Sequence, residues 1–301
     1  LHLSALKASA HFLKLLKANI ESTVAQGGFF QKMMFNVLFN IAKLIPSVRV
    51  RKHLFPSIHK QFGGKFRGCI SGGAPLDIEI AKYLETLGIK IYEGYGLSEA
   101  SPVVTFNTDE ASRLGSVGRP IPDVKVKIDE ETGELLVKGD NVMKGYYGNP
   151  ELTAETIDAD GWLHSGDIAE IDKDGFVYIT GRIKNMIVLN GGKKVFPEEV
   201  EAILAQSTII QESCVVGVKR DGGLKDGTEE VTAVVVPTEE ISNKYPNDEE
   251  LTKVLRADVK ELSTKLSVFK RPTNVVLSRK PLERTATSKI KRKEAKALAE
   301  K

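Results

Sequence analysis

The chain has 301 residues, 41% of them hydrophobic, and carries 43 Lys and Arg against 40 Asp and Glu. That composition is ordinary for a soluble protein, and the length supports about two domains with sizeable cores. Two distant cysteines, Cys69 and Cys214, exclude a disulfide framework or a thiolate metal site and fit a reducing, cytoplasmic setting.

The charge is unevenly spread. Residues 1–67 hold eleven Lys and Arg and a single acid, Glu21, whereas residues 68–301 are net acidic. The periodicity predicts helices over 4–25 and 29–45, parted by Gly27-Gly28. The second carries Phe29, Phe30, Met33, Met34, Val37, Leu38, Ile41, Leu44 and Ile45 at helical spacing, interrupted by Lys32, Asn36, Asn40 and Lys43. Those breaks exclude a membrane span, which needs about twenty mainly apolar residues. Two readings remain: a core helix with a solvated basic face, or a basic amphipathic helix lying on an anionic membrane surface.

After Pro46 and Pro56, an apolar strand over 66–71 runs into Gly72-Gly73-Ala74-Pro75. A helix over 77–87 follows, with Asp77 as N-cap and Gly88 after its end, and then a strand over 89–92. Strand, helix, strand predicts a parallel sheet. From Gly115 short β-rich runs (123–128, 134–138, 168–171, 176–179) alternate with Asp/Gly turns, as in a small β-barrel over about 112–181. Gly181 to Lys184 reads as a domain junction. Beyond it come a helix (197–206), two strands (213–218, 231–236), a helix (248–265), a strand (274–277) and a helix (291–299), with surface loops at 221–230 and 239–250. The fold class is therefore α/β followed by α+β, divided as 1–183 and 184–301.

Five blocks carry chemistry: Glu-Gly-Tyr-Gly-Leu-Ser-Glu (93–99), Gly-Trp-Leu-His-Ser-Gly-Asp (161–167), Gly-Arg-Ile-Lys-Asn-Met-Ile (181–187), Gly-Gly-Lys-Lys-Val-Phe-Pro-Glu-Glu-Val-Glu (191–201) and Thr-Ala-Thr-Ser-Lys-Ile-Lys-Arg (285–292). In this order and spacing they resemble the adenylate-forming (AMP-binding) enzymes, closest to the long-chain fatty-acid–CoA ligase branch. Ser98, Ser165 and Ser288 depart from the more usual Thr, Thr and Gly.

The resemblance implies a role for each block. Gly72, Gly73 and Ala74 would border adenine, where glycine lets a ligand approach backbone. Tyr95, followed by Gly96, would stack on the base, and Ser98 would donate to a phosphate oxygen. Glu99 would bind Mg²⁺, a hard cation that takes oxygen ligands. Asp167 would accept from the ribose hydroxyls, with Arg182 as a second ribose contact. Lys184 would be a hinge that lets the small domain serve two half-reactions. Gly191 and Gly192 would line the channel for the pantetheine thiol. Lys289 would offset charge at the α-phosphate and acyl oxygens. His2, His11, His53, His59 and His164 show no metal-ligand spacing, and His164 is expected to pack near the ribose site.

Nothing between Leu1 and Gly94 resembles the family's phosphate loop, a Ser/Thr/Gly-rich run ending in Lys that cradles the β- and γ-phosphates. The expectation is the C-terminal portion of a longer enzyme, inactive alone. The parent would convert a fatty acid, ATP and CoA to acyl-CoA, AMP and pyrophosphate through acyl-AMP. Ligation to an acyl carrier protein and a non-catalytic AMP- or partner-binding module are the alternatives. Peripheral membrane contact through residues 1–67 is a further possibility, and no nucleic-acid partner is expected.

Overall fold

The computed structural model describes residues 5–219, 229–285 and 289–301. His2, most of the expected loop at 221–230 and Ser288 lie outside the described residues. The chain divides into two units: residues up to Ser165 with Ala169–Ile179, and Gly166–Ile168 with Thr180–Lys301.

The first unit is organised by a five-stranded sheet. Its strands are β1 (Ala5–Ala8), β2 (Gly68–Gly72), β3 (Lys90–Tyr95), β4 (Thr105–Phe106) and β5 (Arg119–Pro120), in that spatial order. The first three are parallel, as the strand–helix–strand pattern predicts, and β4 and β5 are antiparallel additions. Strand β1 corrects the expected helix over 4–25. Ala5–Ala8 pairs with Gly68–Ser71, and helix α1 (Ala10–Gln26) starts only where the Ser9 hydroxyl accepts the Phe12 amide. The edge of β2 supplies hydrogen bonds that outweigh the high helix propensity of Ala, Leu and Lys.

Helices α2 (Phe29–Leu44), α3 (Val48–Arg51), α4 (Pro56–Gln61) and α5 (Ile78–Thr86) follow. Asp77 caps α5 by accepting the Glu79 amide, as expected. The core gathers Leu13 of α1, Ile80, Ala81 and Leu84 of α5, and Cys69 and Ile91 of the sheet. Helix α2 is not a core helix with a basic outer face. Phe35, Leu38, Phe39 and Ala42 pack inward around Phe55 and Leu87, while Phe29, Phe30, Met33, Met34, Val37, Ile41 and Leu44 are exposed. The helix has more apolar residues than one packed face can take. No described helix is long and apolar enough to cross a membrane.

The β-rich region is a four-stranded half-barrel of β6 (Lys125–Ile128), β7 (Glu134–Lys138), β8 (Leu163–Ile171) and β9 (Val177–Arg182), in sequential order. An unanticipated helix, α6 (Pro150–Thr156), precedes β8. Asn149 starts it by accepting the Leu152 amide at 3.0 Å, and Pro150 sits at its first position.

The second unit opens with a hairpin, β10 (Ile187–Val188) and β11 (Lys194–Val195), and helix α7 (Pro197–Leu204). Strands β12 (Ile210–Lys219) and β13 (Glu229–Pro237) are antiparallel, and β14 (Asn274–Leu277) adds in parallel to β13. Between them lie α8 (Glu239–Lys244) and α9 (Asp248–Leu262), and α10 (Arg292–Ala299) closes the chain. The alternation along the strands builds two cores. Val215, Val231, Ala233 and Val235 meet Val200 and Leu204 of α7 and Leu251, Leu255 and Val259 of α9. Cys214, Val216, Val234 and Val236 meet Ala295 of α10. The loop expected at 239–250 is instead α8 and the first turn of α9. Asn247 accepts the Glu249 and Glu250 amides, and acidic residues fill both first turns, which is favourable at a helix N-terminus.

Candidate functional site

In the first unit the candidate residues meet at the carboxyl ends of two parallel strands. The register pairs Gly72, at the end of β2, with Gly94, one residue before the end of β3. Ligands of open parallel sheets bind outside the carboxyl ends of the strands. The turn Gly72-Gly73-Ala74-Pro75 is exposed there. Gly73 has φ +82°, and a Cβ on it would meet nothing within 4 Å, so the backbone conformation and not crowding selects glycine. Tyr95 is half-buried and packs against the half-barrel core. Gly96 is different: a Cβ there would lie 1.7 Å from the Pro102 carbonyl oxygen, so close chain packing fixes this glycine. Ser98 is exposed at the start of the single turn Ser98–Ala100.

Glu99 is half-buried and held from two sides. The Tyr146 hydroxyl donates to Glu99 Oε1 at 3.0 Å, and the Met143 amide donates to the Glu99 carbonyl at 2.8 Å. Asn141 Nδ2 donates to the Ala100 and Val103 carbonyls at 3.0 and 2.9 Å, tying down the same turn. Among the described residues no group of three or more His, Cys, Asp or Glu is placed to hold a metal ion. A Mg²⁺ at Glu99 would take its other ligands from phosphate and water, a common arrangement for that ion, so the single carboxylate fits the group.

A second carboxylate of the same block escaped the sequence reading. Glu93 is buried beside Ser71, its partner in register, and its Oε1 accepts the Gly115 amide at 3.2 Å. Burial pushes its pKa up to about 7, with the Gly115 hydrogen bond opposing and Glu85 adding to the rise. The only sequence signal was an acid inside an otherwise inward-facing strand pattern.

In the second unit, blocks distant in sequence are joined. Arg182 Nε lies 2.6 Å from Asp167 Oδ1, with Asp167 buried and Arg182 largely exposed. The pair offers a charge-balanced carboxylate and a guanidinium edge, which suits a polyhydroxyl group. His164, expected near the ribose site, pairs with Glu134 at 2.9 Å in the first unit. Lys184 is exposed in the single turn Ile183–Asn185, and the next residue, Asn185, donates to Glu198 Oε1 at 2.6 Å. Gly191 and Gly192 have φ of +79° and +75° in the β10–β11 hairpin, with nothing within 4 Å of either added Cβ.

Lys289 is exposed, and its backbone is tied to Thr285. The Thr285 amide donates to the Lys289 carbonyl at 2.8 Å, the Lys289 amide donates to Thr285 Oγ1 at 3.2 Å, and Arg284 bridges Ile290. The helix that follows is anchored by Arg292, which the sequence reading passed over. Its guanidinium reaches Glu201 at 2.6 and 3.1 Å, Glu198 at 3.3 Å and the Val215 carbonyl. Glu198 thus connects the turn after β9 to the segment that carries Lys289.

Comparison with known proteins bears on this arrangement. The family described as AMP-binding enzyme matches residues 8–147, and the AMP-binding enzyme C-terminal domain matches residues 184–301. The chain is 40% identical over 164 residues to the long-chain-fatty-acid–CoA ligase FadD15 of Mycobacterium bovis, covering 54% of this chain but 27% of that protein. It is 32% identical over 307 residues to 4-coumarate–CoA ligase 1 of Glycine max, covering 96% and 97% of the two. Among solved structures it is similar to O-succinylbenzoate coenzyme A synthetase (MenE) of Bacillus subtilis in complex with ATP and magnesium ion. That match has a TM-score of 0.65 at 25% identity over 81% of this chain and 50% of the other.

Proposed function

Because the chain belongs to the AMP-binding enzyme family, we propose that it serves an AMP-forming acid–thiol ligase acting on long-chain fatty acids. A carboxylate oxygen bonds to the α-phosphorus of ATP as the bond from that phosphorus to pyrophosphate breaks. A CoA thiolate then bonds to the acyl carbon as the bond to the AMP oxygen breaks. The observation that carries the reading is the gathering of Gly72–Ala74, Tyr95, Ser98 and Glu99 at the carboxyl ends of β2 and β3 in the first unit's sheet.

The chain's own residues divide the work. Tyr95 offers a ring face to adenine beside the Gly73 backbone, and the Ser98 hydroxyl donates to a phosphate oxygen. Asp167 accepts from the ribose hydroxyls while Arg182 balances its charge. Glu99 would hold Mg²⁺, which when bound neutralises phosphate charge. The Lys289 ammonium offsets charge as the carboxylate attacks, an effect strengthened where water is excluded. Lys184 is the hinge of this reading, and the exposed Gly191-Gly192 turn borders the incoming thiol.

The test separates the two half-reactions. Supplied palmitoyl-AMP and CoA should give palmitoyl-CoA, and Asp167→Asn should suppress the product. ATP, Mg²⁺ and palmitate should release no pyrophosphate with this chain alone, because residues 1–94 contain no phosphate-loop pattern. Parallel assays with acyl carrier protein and with aryl acids would correct the thiol or the acyl class.

Helix α2 supports a site of action at an anionic membrane surface. Its exposed apolar residues lie in a stretch, residues 22–76, that contains no Asp or Glu. A buried apolar face with basic flanks is how an interfacial helix binds anionic lipid. Co-sedimentation should be strong with phosphatidylserine vesicles at low salt and weaker at high salt. Equal binding to neutral vesicles would remove the charge argument.

A further inference from the structure

The strongest inference beyond this reading concerns what holds Glu99. Tyr146 comes from Gly145-Tyr146-Tyr147-Gly148-Asn149-Pro150, a run to which the site residues above assign nothing. Its hydroxyl donates to Glu99 Oε1 at 3.0 Å across 47 residues. The Tyr146 amide donates to Thr153 Oγ1 at 2.9 Å, and Thr153 Oγ1 in turn donates to the Asn149 carbonyl at 2.8 Å. Thr153 sits on α6, whose N-cap and Pro150 fix its start. Helix α6 thus fixes the backbone of the residue whose phenol donates to Glu99.

We propose that Tyr146 is a positioning residue that orients the Glu99 carboxylate as a metal ligand. The proposal rests on the reading of Glu99 as the Mg²⁺ ligand and adds the group that aims it. With Oε1 engaged by the phenol, Oε2 is the oxygen presented to a cation. Without the phenol, the terminal torsion of a glutamate is broad, and the carboxylate turns between several orientations. Partners that orient a metal-bound carboxylate are typically worth about 10- to 100-fold in metal affinity. Tyr146 also lines a surface cavity of about 430 Å³ with Lys144, Asn149 and Thr153, so a conservative change there need not disturb a packed core.

The experiment uses the whole chain and Mn²⁺ as the probe. The free-Mn²⁺ signal in electron paramagnetic resonance is followed with ATP present, for the parent chain, Tyr146→Phe and Glu99→Gln. AMP affinity in a metal chelator is measured for each. Tyr146→Phe should weaken ATP-dependent Mn²⁺ retention about 10-fold and leave metal-free AMP affinity unchanged. If Glu99→Gln loses Mn²⁺ but Tyr146→Phe retains it fully, the positioning role is overturned while the ligand reading stands. If Tyr146→Phe lowers AMP affinity by the same factor, its role is merely structural and the proposal fails. If Glu99→Gln matches the parent, or the parent retains no Mn²⁺, the ligand reading fails and takes the proposal with it.

Discussion

The candidate residues of the two units are set into the chain differently. In the first unit, Tyr95 packs on a core, Gly96 is boxed in by backbone, and Glu99 is held by Tyr146 and the Met143 amide. In the second, Asp167 is buried against Arg182, whereas Lys184, Gly191 and Gly192 sit on exposed turns and Lys289 is exposed. Set into packed structure, a functional residue is also a structural one. On an exposed turn it is free to serve chemistry alone.

Paired glycine substitutions give the largest test of this contrast. Gly96→Ala forces a Cβ against the Pro102 carbonyl and the Val103 Cα, so backbone must move. Urea denaturation should show a loss above about 4 kcal/mol, or no folded first unit, since such values mark severe packing faults. Gly192→Ala meets no atom but keeps φ at +75°, and should cost about 1–2 kcal/mol. Gly192→Asn tolerates that conformation better, so any loss of thioester formation it causes would report bulk in the thiol path and not strain.

Lys289→Ala sharpens the contrast from the side of chemistry. With a phosphate-loop segment from a family member fused ahead of this chain, palmitate-dependent pyrophosphate release should fall by about 10²–10³. The melting temperature and the conversion of supplied palmitoyl-AMP should hold. A drop in stability as large as the drop in rate would place Lys289 with the packed residues instead.

Glu93→Gln has a smaller effect, confined to the first unit. Burial raises the folded carboxyl's pKa from 4.5 to about 7, so between those values the folded state binds more protons than the unfolded one. Stability contributed by this group is therefore complete below about 4.5 and is lost as pH rises to about 7, by roughly 3 kcal/mol. Glutamine should flatten that part of the profile and stabilise the chain at neutral pH. An unchanged slope in denaturation from pH 4.5 to 7.5 would show that Glu93 is not the responsible group.

Much of the second unit was legible because its signals are local. The strand at 274–277 was read to the residue, and Leu251, Leu255 and Val259 of α9 announce a buried stripe. The first unit was less so. Strand β1 owes its form to a partner 63 residues away, and alanine and lysine carry no strand signal. The Glu99–Tyr146 and Asp167–Arg182 contacts show the same limit. Resemblance pointed to Asp167, Arg182 and Glu99 individually, but only folding reveals which partner each one meets. For helix α2 the sequence left two readings open for a different reason. Periodicity tells which residues share a face and not how much of that face the neighbouring structure covers.

The pairing of β1 with β2 also bears on how the first unit is made. During synthesis, at about 5–20 residues per second, Ala5–Ala8 emerges several seconds before Gly68–Ser71. Helices α1 and α2 form from local contacts within microseconds. For those seconds the nascent chain carries an unpaired strand and the uncovered Phe29, Phe30 and Met33 together. That interval is when this chain is most open to aggregation and to capture by a chaperone, and slowing elongation before residue 68 should lengthen it.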